Sequence, residues 1–143
     1  MTLWAPRVIV SGIAVAGITA ALLTGCTGRD ALVTTSNASG HVLMSDARHV
    51  EAVPGETIDG TLTIVGSCFG FDTGTGTFAA VFPNGSQLVE DTDQVEIPGW
   101  GTLGLGNHYQ GGGGVVASAT LSYRDSIPAA CRSDRIVVLD PIR

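Results

Sequence analysis

The sequence contains no lysine, and its seven basic residues are all arginine. The chain of 143 residues also carries 13 acidic residues, so its net charge is −6. A nucleic-acid-binding protein needs a basic surface that neutralises phosphates, and electrostatic docking on an anionic membrane needs a polybasic patch. The sequence provides neither feature. We therefore expect no nucleic-acid partner and no membrane contact that depends on charge alone.

Charged and aromatic side chains are scarce, at 14% and 6% of the residues. Beyond the N-terminal region, no segment shows the 3.6-residue apolar period of a long amphipathic helix. Gly, Thr, Val, Ser and Asp dominate instead, and this composition is typical of short strands joined by turns. The sequence therefore predicts an all-β protein.

The longest apolar run lies near the N-terminus. Arg7 precedes the uncharged stretch Val8–Ala21, and Leu23-Thr24-Gly25-Cys26 closes the run. A basic residue, an apolar core and small residues before the cleavage point are typical of an export signal, here a signal helix. The alternative is an uncleaved transmembrane anchor, but Val8–Leu23 is short for a span that needs about 20 apolar residues.

Leu23-Thr24-Gly25-Cys26 resembles the lipobox of bacterial lipoproteins. The resemblance implies cleavage before Cys26 and attachment of acyl chains, such as palmitate, to the new N-terminus at Cys26. It also implies a place on the extracytoplasmic face of the cell membrane. Residues 1–25 would then be the signal peptide, 26–50 a flexible tether and 51–143 a single β-domain. Without Arg7 the processed chain has 6 basic and 13 acidic residues, a net charge of −7.

Two cysteines remain if Cys26 carries lipid. In an exported domain, Cys68 and Cys131 are most simply interpreted as one disulfide. The loop that this bond closes is long, so the chain-entropy estimate of its contribution is about 4 kcal/mol. Such a cross-link matters in a small domain with a thin hydrophobic core.

A reactive thiol at Cys68 is the enzymatic alternative. Gly66-Ser67-Cys68-Phe69-Gly70 has the outline of a nucleophile elbow, and His108 with an acid such as Asp72 would complete a thiol hydrolase. An elbow needs a helix after the nucleophile, and no helical pattern follows Gly70. We therefore expect no catalytic residue.

A weak metal site is the third hypothesis. Glu90-Asp91-Thr92-Asp93 places three carboxylates within four residues, and hard cations bind oxygen clusters. Asp91 and Asp93 with a histidine would be the ligands. However, the chain lacks the spacing of an EF-hand loop, and His41, His49 and His108 lack the spacing of a metal-binding pair. A solvated acidic turn is expected, with no metal and no cofactor.

Eight segments in the body of the chain are candidate strands, of which we expect six or seven to form, with a further short one at His41–Met44. They are Thr57–Val65, Cys68–Phe71, Thr77–Phe82, Ser86–Val89, Val95–Ile97, Thr102–Leu105, Val115–Tyr123 and Ile136–Leu139. Asn84-Gly85 predicts a hairpin between two of them, and Pro128–Cys131 predicts a bend or a single helical turn. We expect a small antiparallel barrel, OB-like or SH3-like, with a sandwich as the second choice.

The remaining candidate functional residues lie in or beside glycine-rich segments. Gly104-Leu105-Gly106 and Gly111–Gly114 are similar to phosphate-binding loops, but no helix N-terminus follows, so tight turns are the better interpretation. Trp100, between two glycines, either caps the core or lies exposed as a contact residue. His108 and Tyr109 precede the glycine run and could line a groove with it.

The body of the chain resembles small exported domains that have a cysteine at the end of the first strand and a set of recurring turns. Here these are Phe82-Pro83-Asn84-Gly85, Pro98-Gly99, Leu103-Gly104-Leu105-Gly106 and Gly111–Gly114. The resemblance implies a fold and no activity. Together these observations predict a lipid-anchored, non-enzymatic binding or scaffolding domain whose partner is an unidentified envelope protein or ligand.

Overall fold

The computed structural model describes residues 32–48 and 55–142, and ten strands account for most of them. The predicted signal and lipobox, His49 and the start of the predicted tether lie outside the described residues. The strands are β1 Leu32–Ser36, β2 Val42–Asp46, β3 Thr57–Val65, β4 Cys68–Asp72, β5 Thr77–Phe82, β6 Gln87–Leu88, β7 Gln94–Ile97, β8 Gly101–Gly104, β9 His108–Ala117 and β10 Arg135–Leu139. Three single 3-10 turns lie between β9 and β10, at Ser118–Thr120, Arg124–Ser126 and Ala129–Cys131. The predicted all-β class is confirmed.

The strands form a seven-stranded sheet and a three-stranded sheet. The larger sheet has the order β1-β2-β4-β3-β9-β10-β5, and the smaller one has the order β6-β7-β8. β5 also pairs with β2 and β4, so the large sheet curls back on itself. Because β2 meets both β4 and β5, the closure is irregular and the architecture is sandwich-like rather than a clean barrel. The sequence predicted antiparallel pairing, but three of the strand pairs, β2–β4, β2–β5 and β10–β5, are parallel.

Two apolar clusters bury opposite faces of the central strands. In β10, Val137 and Leu139 belong to an inner cluster, whereas Ile136 and Val138 belong to an outer one. The same alternation separates Leu43 from Met44 in β2. Strands buried on both faces have continuous apolar sequences instead of alternating ones, which explains the runs that form β5 and β10. The small sheet contributes Val95, Ile97 and Leu103 to the inner cluster.

The outer cluster is covered by the segment 118–131, part of which was predicted to be a strand. β9 ends at Ala117, six residues before the predicted end at Tyr123. The chain turns there because the Ser118 N–H donates to the Asp134 carbonyl, and the Leu121 N–H then donates to the Ser118 carbonyl. Tyr123, Ile127 and Cys131 are consequently buried against the sheet.

The predicted disulfide between Cys68 and Cys131 is confirmed. It joins β4 to the last 3-10 turn, with the two Cα atoms 5.6 Å apart, and both cysteines are buried. The predicted bend at Pro128–Cys131 is the turn that carries the second cysteine. The bond therefore fixes the covering segment to the face that the segment buries.

Residues 32–48 correct the predicted tether of residues 26–50. β1 and β2 form an antiparallel hairpin, and Leu43, Met44, Ser45 and Asp46 are buried. Ser and Thr dominate β1, which made this stretch look like a linker. It is ordered because β2 packs into both clusters and β1 pairs along all five of its residues.

The predicted hairpin at Asn84-Gly85 is also wrong. The turn itself exists, because the Ser86 N–H donates to the Pro83 carbonyl at 3.1 Å. β6, however, pairs with β7 and begins the small sheet. The reason is that β5 already has neighbours on both edges, with β10 on one side and β4 and β2 on the other.

The four glycines Gly111–Gly114 lie inside β9, not in a turn before a strand. The first two pair with β3 and the last two with β10. A Cβ atom at Gly111 would overlap the Tyr109 side chain, and one at Gly113 would overlap the Val138 carbonyl. The glycines therefore allow close packing within the sheet, and the phosphate-loop alternative has no structural basis here.

Candidate functional site

Four aromatic rings form a row that runs from the protein surface into the inner cluster. Trp100 contacts Tyr109 with ring centroids 5.4 Å apart, Tyr109 contacts Phe71 at 5.4 Å, and Phe71 contacts Phe82 at 5.8 Å. All three pairs are tilted, with interplanar angles of 40°, 45° and 38°. The three inner rings are fully buried, whereas Trp100 is 38% exposed. The outermost ring is therefore held from below by a rigid stack.

A tight turn presents Trp100 at the surface. The Trp100 N–H donates to the Ile97 carbonyl at 3.0 Å, which closes a turn over Pro98-Gly99. Gly99 has φ +80°, the left-handed value that the third position of a type II turn requires. Gly101, on the other side of the tryptophan, has φ +117°. Trp100 was predicted to be either a cap on the core or an exposed contact residue, and it has features of both. Its ring packs on the core through Tyr109, and it remains partly exposed at the surface.

Tyr109 is a support for Trp100 and has no exposed surface of its own. Its hydroxyl has no hydrogen-bond partner among the described residues. Burial raises the pKa of this phenol above its ordinary value, and the nearby Asp140 carboxylate raises it further. The ring therefore stays neutral. Its position on the core side of β9 is why it contributes rigidity and not a ligand contact.

His108 lies on the opposite face of β9 from Tyr109, since successive side chains of a strand alternate. Its imidazole is exposed, and Nε2 lies 3.4 Å from an Asp59 carboxylate oxygen. The structure thus brings Trp100 and Tyr109 together but separates His108 from both. The three predicted contact residues do not form one groove.

The thiol-hydrolase alternative loses its nucleophile. Cys68 is buried and bonded to Cys131, so it offers no thiolate. Its predicted acid partner Asp72 accepts a hydrogen bond from the Gly74 N–H at 3.0 Å and stabilises the turn after β4. We find a structural role for each of these residues.

A polar cluster that the sequence did not reveal joins the β1–β2 turn to the acidic loop. One Asp93 carboxylate oxygen lies 2.6 Å from His41 Nδ1, and it accepts a hydrogen bond from Asn37 Nδ2 at 2.7 Å. Asn37 Nδ2 also donates to the Thr92 carbonyl, at 3.1 Å. The His41 ring packs edge-on against Phe69, with centroids 6.1 Å apart. We call Asn37, His41 and Asp93 the hairpin clamp.

The hairpin clamp bears on the metal hypothesis. It places Asp93 beside His41, as that hypothesis required, but the two side chains form a hydrogen bond with each other. Asp91 has a left-handed φ of +57° at the tip of the same loop. Within residues 32–48 and 55–142, no group of three or more His, Cys, Asp or Glu side chains could hold a metal ion.

The hairpin clamp predicts a pH dependence for Asp93. The hydrogen bond to His41, and next the one from Asn37, lower the pKa of the Asp93 carboxyl below its ordinary value of 3.8. A depressed pKa means that the carboxylate stabilises the fold above pH 3.8 and that this contribution is lost as the pH falls through the folded-state pKa. His41→Ala is expected to raise the Asp93 pKa toward 3.8. A carboxyl carbon NMR titration measures it, and an unchanged Asp93 pKa in that variant would contradict the pairing; His108→Ala is the control.

No helix in the described parts of the chain is long and apolar enough to cross a membrane. No protein-family model matches this chain, and neither a curated protein nor a solved structure matches it.

Proposed function

We propose that this protein is a non-enzymatic, lipid-anchored binding domain of the cell envelope, with Trp100 as its principal contact residue. The observation that carries the proposal is the exposed face of Trp100, supported by the buried ring of Tyr109. Tryptophan is prominent among residues that dominate binding energy, because a large rigid ring buries much area and loses little side-chain entropy. The glycine-flanked turn fixes the position of this ring in the unbound protein, so little ordering is needed on binding.

The net charge of the protein limits the class of partner. The processed chain would carry a net charge of −7, which disfavours polyanions such as nucleic acid. A tryptophan face favours a flat apolar surface, an aromatic ring or a cationic group. We therefore propose that the partner is a neutral or basic envelope component.

The anchor is the second part of the proposal. It rests on the lipobox-like Leu23-Thr24-Gly25-Cys26, on the acidic charge of the chain and on the durability of membrane attachment through two or more acyl chains. Electrostatic attraction to anionic lipid cannot supply that attachment here.

Replacing the predicted acylation site tests the anchor. Cys26→Ser is expected to abolish incorporation of labelled palmitate and to move the protein out of the membrane fraction, with the Cys68–Cys131 disulfide intact. Fractionation followed by a non-reducing gel measures location and folding together. If Cys26→Ser stays bound to the membrane, the apolar run Val8–Leu23 is the anchor instead.

Truncating the exposed ring tests the contact residue. Trp100→Ala is expected to weaken binding to envelope material by about 2 kcal/mol, roughly thirtyfold, the size typical of a central contact. Leu105→Ala is the matched control, because Leu105 is 40% exposed on the next turn of the chain and is not part of the row of aromatic rings. The measurement is co-sedimentation of the processed protein with separate cell-wall and membrane fractions.

The fluorescence of Trp100 gives a direct second measurement. The sequence has two tryptophans, and the other one, Trp4, lies in the predicted signal. Tryptophan emission from the processed chain therefore comes from Trp100 alone, and a binding partner that covers the ring is expected to shift or quench it. Equal binding by Trp100→Ala and the unaltered protein, with no change in emission, would reject this contact surface.

A further inference from the structure

The free edge of the large sheet is β1. β5 closes the remaining strands on one another, and β1 is attached outside that closure with β2 as its single neighbour among the described strands. Its residues from Val33 to Ser36 are all exposed, and Val33 is 47% exposed. An open strand edge is a template for pairing with another strand.

The backbone groups that point outward can be identified from the register. The Asn37 N–H donates to the His41 carbonyl at 3.1 Å, and the ladder continues as Ser36↔Val42, Thr35↔Leu43 and Thr34↔Met44. Antiparallel ladders alternate between bonded and non-bonded pairs. The N–H and C=O groups of Thr35 and Val33 therefore face β2, whereas those of Leu32, Thr34 and Ser36 face away from the sheet.

Within the part of the chain that the structure describes, β1 has none of the usual protection of an edge strand. Its sequence Leu-Val-Thr-Thr-Ser contains no charge, proline or glycine, although the chain is acidic overall. Natural edge strands are commonly blocked by lysine, proline, a bulge or a covering element. The five residues pair with β2 without interruption, so the ladder has no bulge.

We propose that β1 pairs antiparallel with β1 of a second copy of this chain, about a two-fold axis through Thr34. In this arrangement, the backbone of Thr34 forms two hydrogen bonds with Thr34 of the other copy. Leu32 of each copy forms two more with Ser36 of the other, which gives about six backbone hydrogen bonds in all. The side chains are self-compatible, because Val33 faces Thr35 of the other copy and no like charges meet.

The position of the predicted anchor favours a second copy as the occupant. This step rests on the proposed acylation of Cys26, which is six residues before Leu32. Those residues span at most about 20 Å, so every anchored copy holds β1 within that distance of the membrane. A five-residue strand pair is too small for a stable dimer in dilute solution, but confinement to one surface raises the effective concentration of the partner.

A cysteine at the two-fold axis tests the proposal in the membrane. In Thr34→Cys, the two equivalent Cα atoms would lie about 5.5 Å apart, which suits a disulfide. With Cys26 acylated and Cys68 bonded to Cys131, the new thiol is unpaired within its own chain. Thr102→Cys is the matched control, because Thr102 is an exposed threonine on β8, an edge strand of the small sheet.

Mild oxidation of full-length Thr34→Cys in membranes is expected to give roughly tenfold more covalent dimer than Thr102→Cys. Co-expressed Val33→Cys and Thr35→Cys copies should cross-link to each other more than either does to itself. With differently tagged copies, Thr34→Lys should lose co-purification and Thr102→Lys should keep it, because the lysines at residue 34 face each other.

Equal dimer from Thr34→Cys and Thr102→Cys overturns the proposal, and so does a Thr34→Cys cross-link to a different protein. Fractionation of the same samples reports whether they are in the membrane and whether Cys26 holds them there. Failed pairing of Cys26-anchored protein therefore counts against β1 alone, whereas membrane retention of Cys26→Ser counts against the anchor.

Discussion

Replacing Cys68 and Cys131 together by alanine is expected to lower the free energy of unfolding by about 4 kcal/mol. The two cysteines are 63 residues apart, so the bond removes much of the freedom of the unfolded chain. In the folded state it holds the segment 118–131 over the outer cluster, where Tyr123 and Ile127 are buried. Since a small domain has a total stability of about 5–15 kcal/mol, the loss would be a large part of it.

Chemical denaturation with and without a reductant measures this effect. The unaltered protein should unfold at a lower denaturant concentration when reduced, and the alanine double variant should unfold at that lower concentration in both conditions. Solvent exposure of Tyr123, followed by near-ultraviolet absorbance, should accompany the loss. An unchanged midpoint on reduction would show that the covering segment is held by its apolar contacts alone.

Gly113→Ala is expected to cost about 3 kcal/mol, and Gly112→Ala less than about 1 kcal/mol. Gly113 has φ +141°, a conformation that L side chains rarely adopt, and a Cβ atom there would overlap the Val138 carbonyl and lie 3.0 Å from the Leu139 Cα. At Gly112 the nearest atom to a new Cβ is the Asp140 Cβ, at 3.4 Å, which is an ordinary contact. The same methyl group therefore has different consequences at adjacent positions.

Thermal unfolding of the two single variants, compared with the unaltered protein, tests this difference. At Gly113 the neighbour of β9 changes from β3 to β10, because Gly112 pairs with Thr57 and Gly113 pairs with Leu139. The Gly113 N–H donates to the carbonyl of Glu56, the residue before β3, at 3.2 Å. A side chain there should separate β9 from β10 and lower the unfolding temperature. Equal unfolding temperatures for Gly112→Ala and Gly113→Ala would contradict the close approach of the two strands.

The strands whose bounds were predicted best are those with a clear pattern of apolar residues. Thr57–Val65 alternates between apolar and polar residues, and β3 has those bounds. Thr77–Phe82 is likewise β5. The strand predicted at Val115–Tyr123 failed because the apolar residues Leu121 and Tyr123 continue the alternation, although the chain turns at Ser118 to cover the outer cluster. A two-residue period cannot distinguish a strand from an irregular segment that buries alternate side chains.

The candidate site was predicted in part. Trp100 was predicted either to cap the core or to lie exposed as a contact residue, and the structure shows it packed on Tyr109 while 38% exposed. The contact between Trp100 and Tyr109 joins a turn to β9, and sequence alone gave no means to pair them. The hairpin clamp was missed for the same reason, because Asn37 and His41 are more than 50 residues from Asp93.

From the sequence alone it follows that the protein is acidic and rich in strands, since composition and local alternation are properties of the chain itself. The sequence also predicted the bond between Cys68 and Cys131 on the condition that Cys26 carries lipid, and the structure contains that bond. Tertiary structure decided which strands are neighbours, why β5 pairs with β4 and not with β6, and why β9 contains four glycines. It also decided that Trp100 stands on a buried ring and that β1 is left as an open edge. These features depend on pairing between distant segments, where backbone hydrogen bonds and packing volume select partners that local patterns do not specify.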